Sequence, residues 1–220
     1  MTYGMTRTRI KICGITSPED AHLAVAAGAD AIGLVFFAPS PRNVAIARAL
    51  EIARGVPPLV SRVALFVNPE PQFVRSVLAA VPIELLQFHG DEPAAFCRSF
   101  ARPYLKVVRV RPGLDLVKYL ADYDDAQGWL LDTYRSDRYG GTGDRFDWAA
   151  IPATLTGPNA RPLVLSGGLD PANAAHAVRA VRPWAVDVSS GVERAPGIKD
   201  AVKVREFVAA VRKGDGDADE

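Results

Sequence analysis

Cys13 and Asp132 are the two residues whose types and positions invite proton chemistry. Each closes a short apolar run: Arg9-Ile10-Lys11-Ile12-Cys13 gives way to Gly14, and Trp129-Leu130-Leu131 stops at Asp132. A thiol so placed is either a small packed residue, as free cysteine often is, or an acid–base or nucleophilic group whose pKa is lowered by Lys11 or a helix N-terminus. A carboxyl at a strand tip is either tied to loop amides or desolvated enough to hold a proton near neutrality and give it up. Cys97, beside Phe96 and close to Phe100 in a predicted helix, reads as packing.

Glycine-rich loops follow the same kind of apolar run. Gly140-Gly141-Thr142-Gly143 comes after Asp132, Ser166-Gly167-Gly168 after Pro162-Leu163-Val164-Leu165, and Ser189-Ser190-Gly191 after Trp184-Ala185-Val186-Asp187-Val188. Exposed backbone N–H groups in such loops, beside a helix start, can hold a phosphate without any net positive charge on the chain. Arg42, in Ser40-Pro41-Arg42-Asn43, is either a solvated loop arginine or a fork for a carboxylate. His89 invites a metal reading with Asp91 and Glu92. Against it, the chain has only 3 histidines, and His22 and His176 fall in predicted helices. Asp91 or Glu92 before Pro93 suits a helix cap better. The expectation is therefore no metal and no cofactor.

The elements that must position these groups repeat. Strands are expected at 9–13, 31–36, 62–67, 84–88, 104–108, 129–132, 162–165 and 184–188. After each comes a helix: from Pro18 to Gly28, from about Ala45 to Arg54, from Pro71 to Ala80, from Pro93, from Leu114 to Ala121, near Trp148, from Pro171, and from about Lys199 to Val211. Ala31-Ile32-Gly33-Leu34-Val35-Phe36 is almost continuously apolar, as a parallel strand buried on both faces should be. Strict alternation with short connections demands a parallel sheet with helices outside. Eight such units close into an α/β (β/α)8 TIM barrel of one domain, with active-site residues at the C-terminal strand ends. An open doubly wound sheet is the competing architecture, but Cys13-Gly14-Ile15-Thr16 is not the glycine fingerprint that it would need.

The bulk numbers fit. The chain has 220 residues, 49% hydrophobic and 23% charged, with a formal net charge of +1, so no broad field favours nucleic acid or an anionic membrane. The 2 cysteines make no disulfide framework and suit a reducing compartment, here the cytoplasm. No apolar run reaches membrane-span length, and the first residues lack the apolar core of a secretion signal. Residues 1–8 are expected to be a flexible leader, 9–212 the barrel, and 213–220 a disordered acidic tail.

These residues resemble a known family. KICGITSPEDA (11–21), AGADAIGLVFFAPSPRNV (27–44), ALFVNP (64–69), LLQFHGDE (85–92), LLDT (130–133), GGTGDRFDW (140–148), LSGGLDPAN (165–173) and VDVSSGVERAPGIKD (186–200) match the phosphoribosylanthranilate isomerases of tryptophan biosynthesis. The resemblance implies a cofactor-free Amadori rearrangement of N-(5-phosphoribosyl)anthranilate to 1-(2-carboxyphenylamino)-1-deoxyribulose 5-phosphate. By that resemblance Asp132 is the general acid and Cys13 the general base. Arg42 faces the anthranilate carboxylate, and Gly141, Gly167, Gly168, Ser189, Ser190 and Gly191 hold the phosphate. His89 and Asp187 sit on the substrate. The partner is a small phosphosugar, with neither nucleic acid nor membrane, and the protein is a monomer or homodimer. Competing readings are another phosphosugar barrel, such as a ribulose-phosphate epimerase or a thiamine-phosphate synthase, and a silent phosphosugar sensor that would not need Cys13 and Asp132 together. A second activity on the doubly phosphorylated histidine-pathway aminoaldose would require a second anion site, which Asn68-Pro69 and His89-Gly90 do not obviously form.

Overall fold

The computed structural model describes residues 7–111, 113–133, 147–157 and 160–216. Alternation sets the first strand, β1 (Arg9–Cys13). Ile10 and Ile12 point outward into the layer shared with the helices, while Lys11 and Cys13 point into the barrel. α1 (Pro18–Ala27) starts where its signals lie: Ser17 accepts from the Asp20 N–H, Pro18 fills the first turn, and Gly28 ends the helix at φ 101°, a backbone angle that glycine adopts without strain.

The pattern continues through β2 (Ala31–Phe36), α2 (Ile46–Arg54), β3 (Ser61–Phe66), α3 (Pro71–Ala80), β4 (Leu85–Phe88), α4 (Ala94–Arg98), β5 (Tyr104–Val110), α5 (Leu116–Ala121) and β6 (Gly128–Thr133). It breaks after β6. The helix expected near Trp148 is instead a pair of 3-10 turns, Trp148–Ala150 and Ala153–Leu155. Asp147 does cap the start, accepting from the Ala149 N–H at 3.0 Å, but Pro152 arrives within one turn and cannot carry the hydrogen bonding onward. β7 (Leu163–Leu165), α6 (Ala174–Val181), β8 (Ala185–Val188) and α7 (Ala201–Gly216) complete the circuit. A small antiparallel pair, β9 (Glu193–Ala195) and β10 (Ile198–Lys199), precedes α7.

Strands β1 to β8 pair in sequence order, and β8 closes on β1. This is the barrel that the sequence indicates. Its lumen is filled by Leu105, Val107, Leu130, Val164 and Ala185. A larger apolar layer, including Phe66, Phe88 and Phe207, lies between strands and helices. Three register pairs matter for the site: Lys11 opposite Asp187, Cys13 opposite Gly33, and Arg109 opposite Asp132.

Arg7, Thr8 and residues 213–216, which fall within the expected leader and tail, make contacts with the barrel. Arg7 pairs with Asp30, and Thr8 donates its N–H and hydroxyl to Asp215 at 3.0 and 2.6 Å. α7 continues to Gly216 because Gly214 packs where a side chain would not fit: a Cβ there would lie 2.8 Å from Val178 Cβ. The expected leader and tail therefore reduce, among the described residues, to segments docked on the barrel; residues 1–6 and 217–220 lie outside them.

Candidate active site

β1 and β8 contribute a buried charged group and a thiol side by side. Lys11 Nζ donates to Asp187 Oδ1 at 2.8 Å, both side chains nearly closed to solvent. Cys13 lies one turn of the pleat further up β1, and Gly33 faces it from β2. A Cβ at Gly33 would come within 2.6 Å of Cys13 Sγ, so the glycine makes the space that the thiol occupies. Burial pushes the Cys13 thiol up; the Lys11 and Lys199 ammonium groups pull it down, and Asp187 pushes it up again. The net direction is upward. The lowering that Lys11 was expected to produce is present but outweighed, because the same enclosure that brings Lys11 close removes water from the thiolate. Burial pulls the Lys11 ammonium down, yet Asp187 and Cys13 together hold it above its ordinary value.

β4 and β6 bring the second pair. His89 Nε2 is 3.0 Å from Asp132 Oδ2, and Asp132 Oδ1 accepts from the Thr133 N–H at 2.8 Å. The two carboxylates that a metal reading of His89 would recruit are engaged elsewhere. Asp91 turns to Arg109 at 2.8 Å, and Glu92 is buried on Lys106 at 2.8 Å. Glu92 is not the helix cap that the sequence suggested either. Its Oε1 accepts the N–H groups of Asn68 and Gly90, which ties the loops after β3 and β4 together behind His89.

Arg42 stands at the mouth with its fork already engaged. Its Nε and Nη2 donate to the two Glu193 oxygens at 2.8 and 2.7 Å. Lys199 Nζ donates to the same carboxylate at 2.9 Å and to the Ser189 carbonyl at 3.2 Å. Burial pushes the Glu193 carboxyl up, but Arg42 and Lys199 hold it below the usual carboxylate range. A substrate carboxylate would therefore meet a guanidinium of fixed orientation.

The late glycine loops meet over β6. Gly167 and Gly168 adopt φ of 86° and 65°, and a Cβ on Gly167 would lie 2.4 Å from Thr133 Oγ1 and 3.2 Å from Asp132 Oδ1. Gly191 approaches the loop after β7 so closely that a Cβ would sit 2.0 Å from the Leu169 carbonyl oxygen. Ser190 opens a 3-10 turn, Ser190–Val192, and the buried Ser189 hydroxyl has no partner among the described residues. Gly141 and the rest of its loop, 134–146, lie outside the described residues.

Cys13, Arg42, His89, Asp132, Asp187 and Ser189 all line one cavity at the C-terminal mouth, about 490 Å³ counting its opening. A wider cavity, about 1870 Å³ counting its opening, lies at the opposite end among Trp129, Trp184 and Arg161, and touches neither Cys13 nor Asp132. Size alone points to that end; the chemistry-bearing strand ends point to the smaller cavity. Sequence reasoning passed over Gln87, Lys199 and the clamp that Glu193 forms. Gln87 was accessible from its spacing, since it shares a strand face with His89. Lys199 and Glu193 fall within VDVSSGVERAPGIKD (186–200), but nothing local to them announces that they meet at Arg42.

A closed (β/α)8 barrel that gathers a thiol, a His–Asp pair and two glycine loops at one mouth has the layout of an acid–base enzyme for a small anionic substrate. The family model described as N-(5'phosphoribosyl)anthranilate (PRA) isomerase matches residues 10–210. The chain belongs to the N-(5'-phosphoribosyl)anthranilate isomerase family and is an enzyme of that kind. It is 57% identical over 209 residues to the N-(5'-phosphoribosyl)anthranilate isomerase of Dechloromonas aromatica, covering 95% of this chain and 98% of that one. The enzyme of Pseudomonas paraeruginosa is 58% identical over 208 residues, 94% and 97% of the two chains. The crystal structure of phosphoribosyl anthranilate isomerase from Thermotoga maritima superposes with a TM-score of 0.85 at 42% identity, covering 93% of this chain and 98% of that one. A further structure of such an isomerase, at TM-score 0.82 and 40% identity over 93% and 98% of the chains, holds reduced 1-(o-carboxyphenylamino)-1-deoxyribulose 5-phosphate.

Proposed function

We propose that this chain converts N-(5'-phosphoribosyl)anthranilate to 1-(2-carboxyphenylamino)-1-deoxyribulose 5-phosphate in tryptophan biosynthesis, with Asp132 as general acid and Cys13 as general base. One observation carries the reading: the thiol on β1 and the carboxyl on β6 line the same cavity. Asp132 gives a proton to the furanose ring oxygen, the C1–O bond breaks, and the nitrogen lone pair forms a cationic Schiff base. Cys13 then takes the C2 proton. The resulting enolamine gains a proton at C1 and loses the one on its C2 hydroxyl to reach the ketone, so no electron leaves the substrate and two positioned groups suffice.

The order of events follows from the electrostatics. With the thiol pushed up by burial, Cys13 is a poor base in the empty site. Ring opening creates a positive charge on the substrate beside it, and a nearby cation favours the thiolate. Lys11 adds to that pull. The acid step therefore prepares the base step. Arg42, held by Glu193, meets the anthranilate carboxylate. The loops at Gly167, Gly168, Ser189, Ser190 and Gly191 take the phosphate, joined by Gly141. His89 supports Asp132, and Asp187 holds Lys11. The free thiols suit the cytoplasm.

The test is loss of anthranilate-type fluorescence from freshly made phosphoribosylanthranilate without added metal. Cys13→Ala and Asp132→Ala are each expected to lower turnover about a hundredfold or more with the circular dichroism spectrum retained. Near-normal turnover in either variant removes that residue from the mechanism, and no fluorescence loss with the unaltered protein removes the reaction.

A further inference from the structure

The β9–β10 hairpin lies outside the repeating strand–helix pattern, and it sits directly behind Arg42. Glu193 begins β9 and Lys199 ends β10, and both side chains are buried. Neither is among the residues that line the mouth cavity, whereas Arg42 and Ser189 both are. The hairpin is braced from outside. Thr16 Oγ1 donates to the Gly197 carbonyl at 2.6 Å, the Lys199 N–H donates to Asp20 Oδ2 at 3.2 Å, and Lys203 Nζ donates to the Glu193 carbonyl at 2.9 Å. We propose that Glu193 and Lys199 are positioning residues that decide which edge of the Arg42 guanidinium meets the substrate. The proposal rests on the reading of Arg42 as the receptor for the anthranilate carboxylate.

A guanidinium has a side edge, Nε with Nη2, and an end edge, Nη1 with Nη2. Either can hold a carboxylate by two parallel bonds. Glu193 fills the side edge, accepting from Nε at 2.8 Å and from Nη2 at 2.7 Å. No hydrogen bond among the described residues takes Nη1, so the end edge is left for a ligand. The stem of Arg42 is fixed as well. A Cβ on Gly14 would lie 2.5 Å from Arg42 Cδ, so the stem lies against the turn after β1. The Arg42 N–H donates to Ser40 Oγ at 3.1 Å. A Cβ on Gly197 would come 3.0 Å from the Pro41 carbonyl oxygen, so the hairpin tip abuts the residue before Arg42. Held at stem and head, the side chain has little rotamer freedom left to lose when a carboxylate binds. Without Glu193 both edges would be open, and a long flexible side chain would meet the carboxylate in several poses.

A carboxylate next to a carboxylate receptor would repel the ligand. Lys199 Nζ, 2.9 Å from Glu193 Oε1, offsets that charge. The same ammonium donates to the Ser189 carbonyl at 3.2 Å. One lysine thus joins the element that holds Arg42 to a loop assigned to the phosphate, and the spacing of the two anion receptors is set behind the cavity wall.

The test is calorimetric binding to the full chain of two ligands: reduced 1-(o-carboxyphenylamino)-1-deoxyribulose 5-phosphate, and the same molecule with an unsubstituted phenyl ring. Glu193→Asp keeps the charge but draws the carboxylate back by one methylene, so the fork on Arg42 is lost while the stem stays in place. It should weaken the carboxyl-bearing ligand by about tenfold or more and the phenyl ligand by less than about twofold. In Arg42→Met the carboxyl-bearing ligand should already be weakened, and adding Glu193→Asp should weaken it no further, because both changes remove one contact. A general structural role would lower both affinities together. Equal losses for the two ligands in Glu193→Asp, no loss for the carboxyl-bearing one, or a further loss on top of Arg42→Met, overturn the proposal. If Glu193→Asp does not fold, Glu193→Ala with Lys199→Met removes the buried pair together, leaving neither charge stranded, and meets the same criteria. Equal affinity of the unaltered protein for the two ligands would instead overturn the reading of Arg42, whereas a preference that survives Glu193→Asp overturns the positioning alone.

Discussion

Gly33→Ala places a methyl group where the barrel has no room for one. Its Cβ would lie 2.6 Å from Cys13 Sγ, 3.1 Å from Cys13 Cα and 3.1 Å from Lys11 Nζ. Non-bonded heavy atoms rest about 3.5–4.0 Å apart, so the sulfur must retreat by roughly 1 Å. The Cα cannot yield alone, because Cys13 and Gly33 face each other in the β1–β2 ladder. Two effects then separate. Overpacking costs about 1–3 kcal/mol, which for a chain of this length lowers Tm by about 2–12 °C. Misplacing a reacting atom by about 1 Å costs on the order of a hundredfold in turnover. KM should change little, since Arg42 and the late glycine loops stand on other elements. Gly28→Ala is the control: it lies at φ 101° with only Val208 at 3.8 Å, so it strains a helix end far from the thiol and should lower Tm without lowering kcat. The fluorescence assay with calorimetry on both variants gives the comparison. Wild-type kcat in Gly33→Ala, or an equal loss of kcat in Gly28→Ala, would refute the reasoning.

Two further substitutions probe the charges around the site. Lys11→Met removes the largest group that pulls the Cys13 thiol down. The thiol moves further up, the thiolate becomes scarcer at neutral pH by tenfold per unit, and kcat/KM should fall there and recover as pH rises; an unchanged pH profile would disconnect Lys11 from the base. Lys106→Met strands the buried Glu92 carboxylate, which should destabilise the fold by about 3–5 kcal/mol in urea titration. Lys106→Met with Glu92→Gln should regain much of that, because glutamine carries no charge and its amide oxygen can still accept the Asn68 and Gly90 N–H groups, and failure to do so would mean that the pair is more than a mutual neutralisation.

The barrel was legible because its strands are buried on both faces and end abruptly on polar residues. Cys13, His89, Asp132, Asp187 and Ser189 each sit at such an ending, and the structure brings them to one cavity. What stayed hidden depends on partners distant in the chain. Lys11 meets Asp187 176 positions away, and Arg42 meets Glu193 151 positions away. Glu92 before Pro93 offers a good local reason to be a helix cap, and a nonlocal lysine on β5 overrides it. The unit after β6 misled for the opposite reason: its start signal at Asp147 is real, but Pro152 cuts the helix short.

Cys13 shows why residue type and position do not give ionisation. The lysine that was expected to lower its pKa is present, and the sum still runs upward because burial of the thiol outweighs it. On the proposed mechanism the substrate supplies the missing positive charge, so the thiol on β1 would act only after the carboxyl on β6 has opened the ring. A substrate analogue with a ring that cannot open should then bind through the phosphate loops and Arg42 yet leave the Cys13 thiol protonated, as its ultraviolet thiolate absorbance would report. A thiolate already formed in that complex would mean that Cys13 is activated by the protein alone.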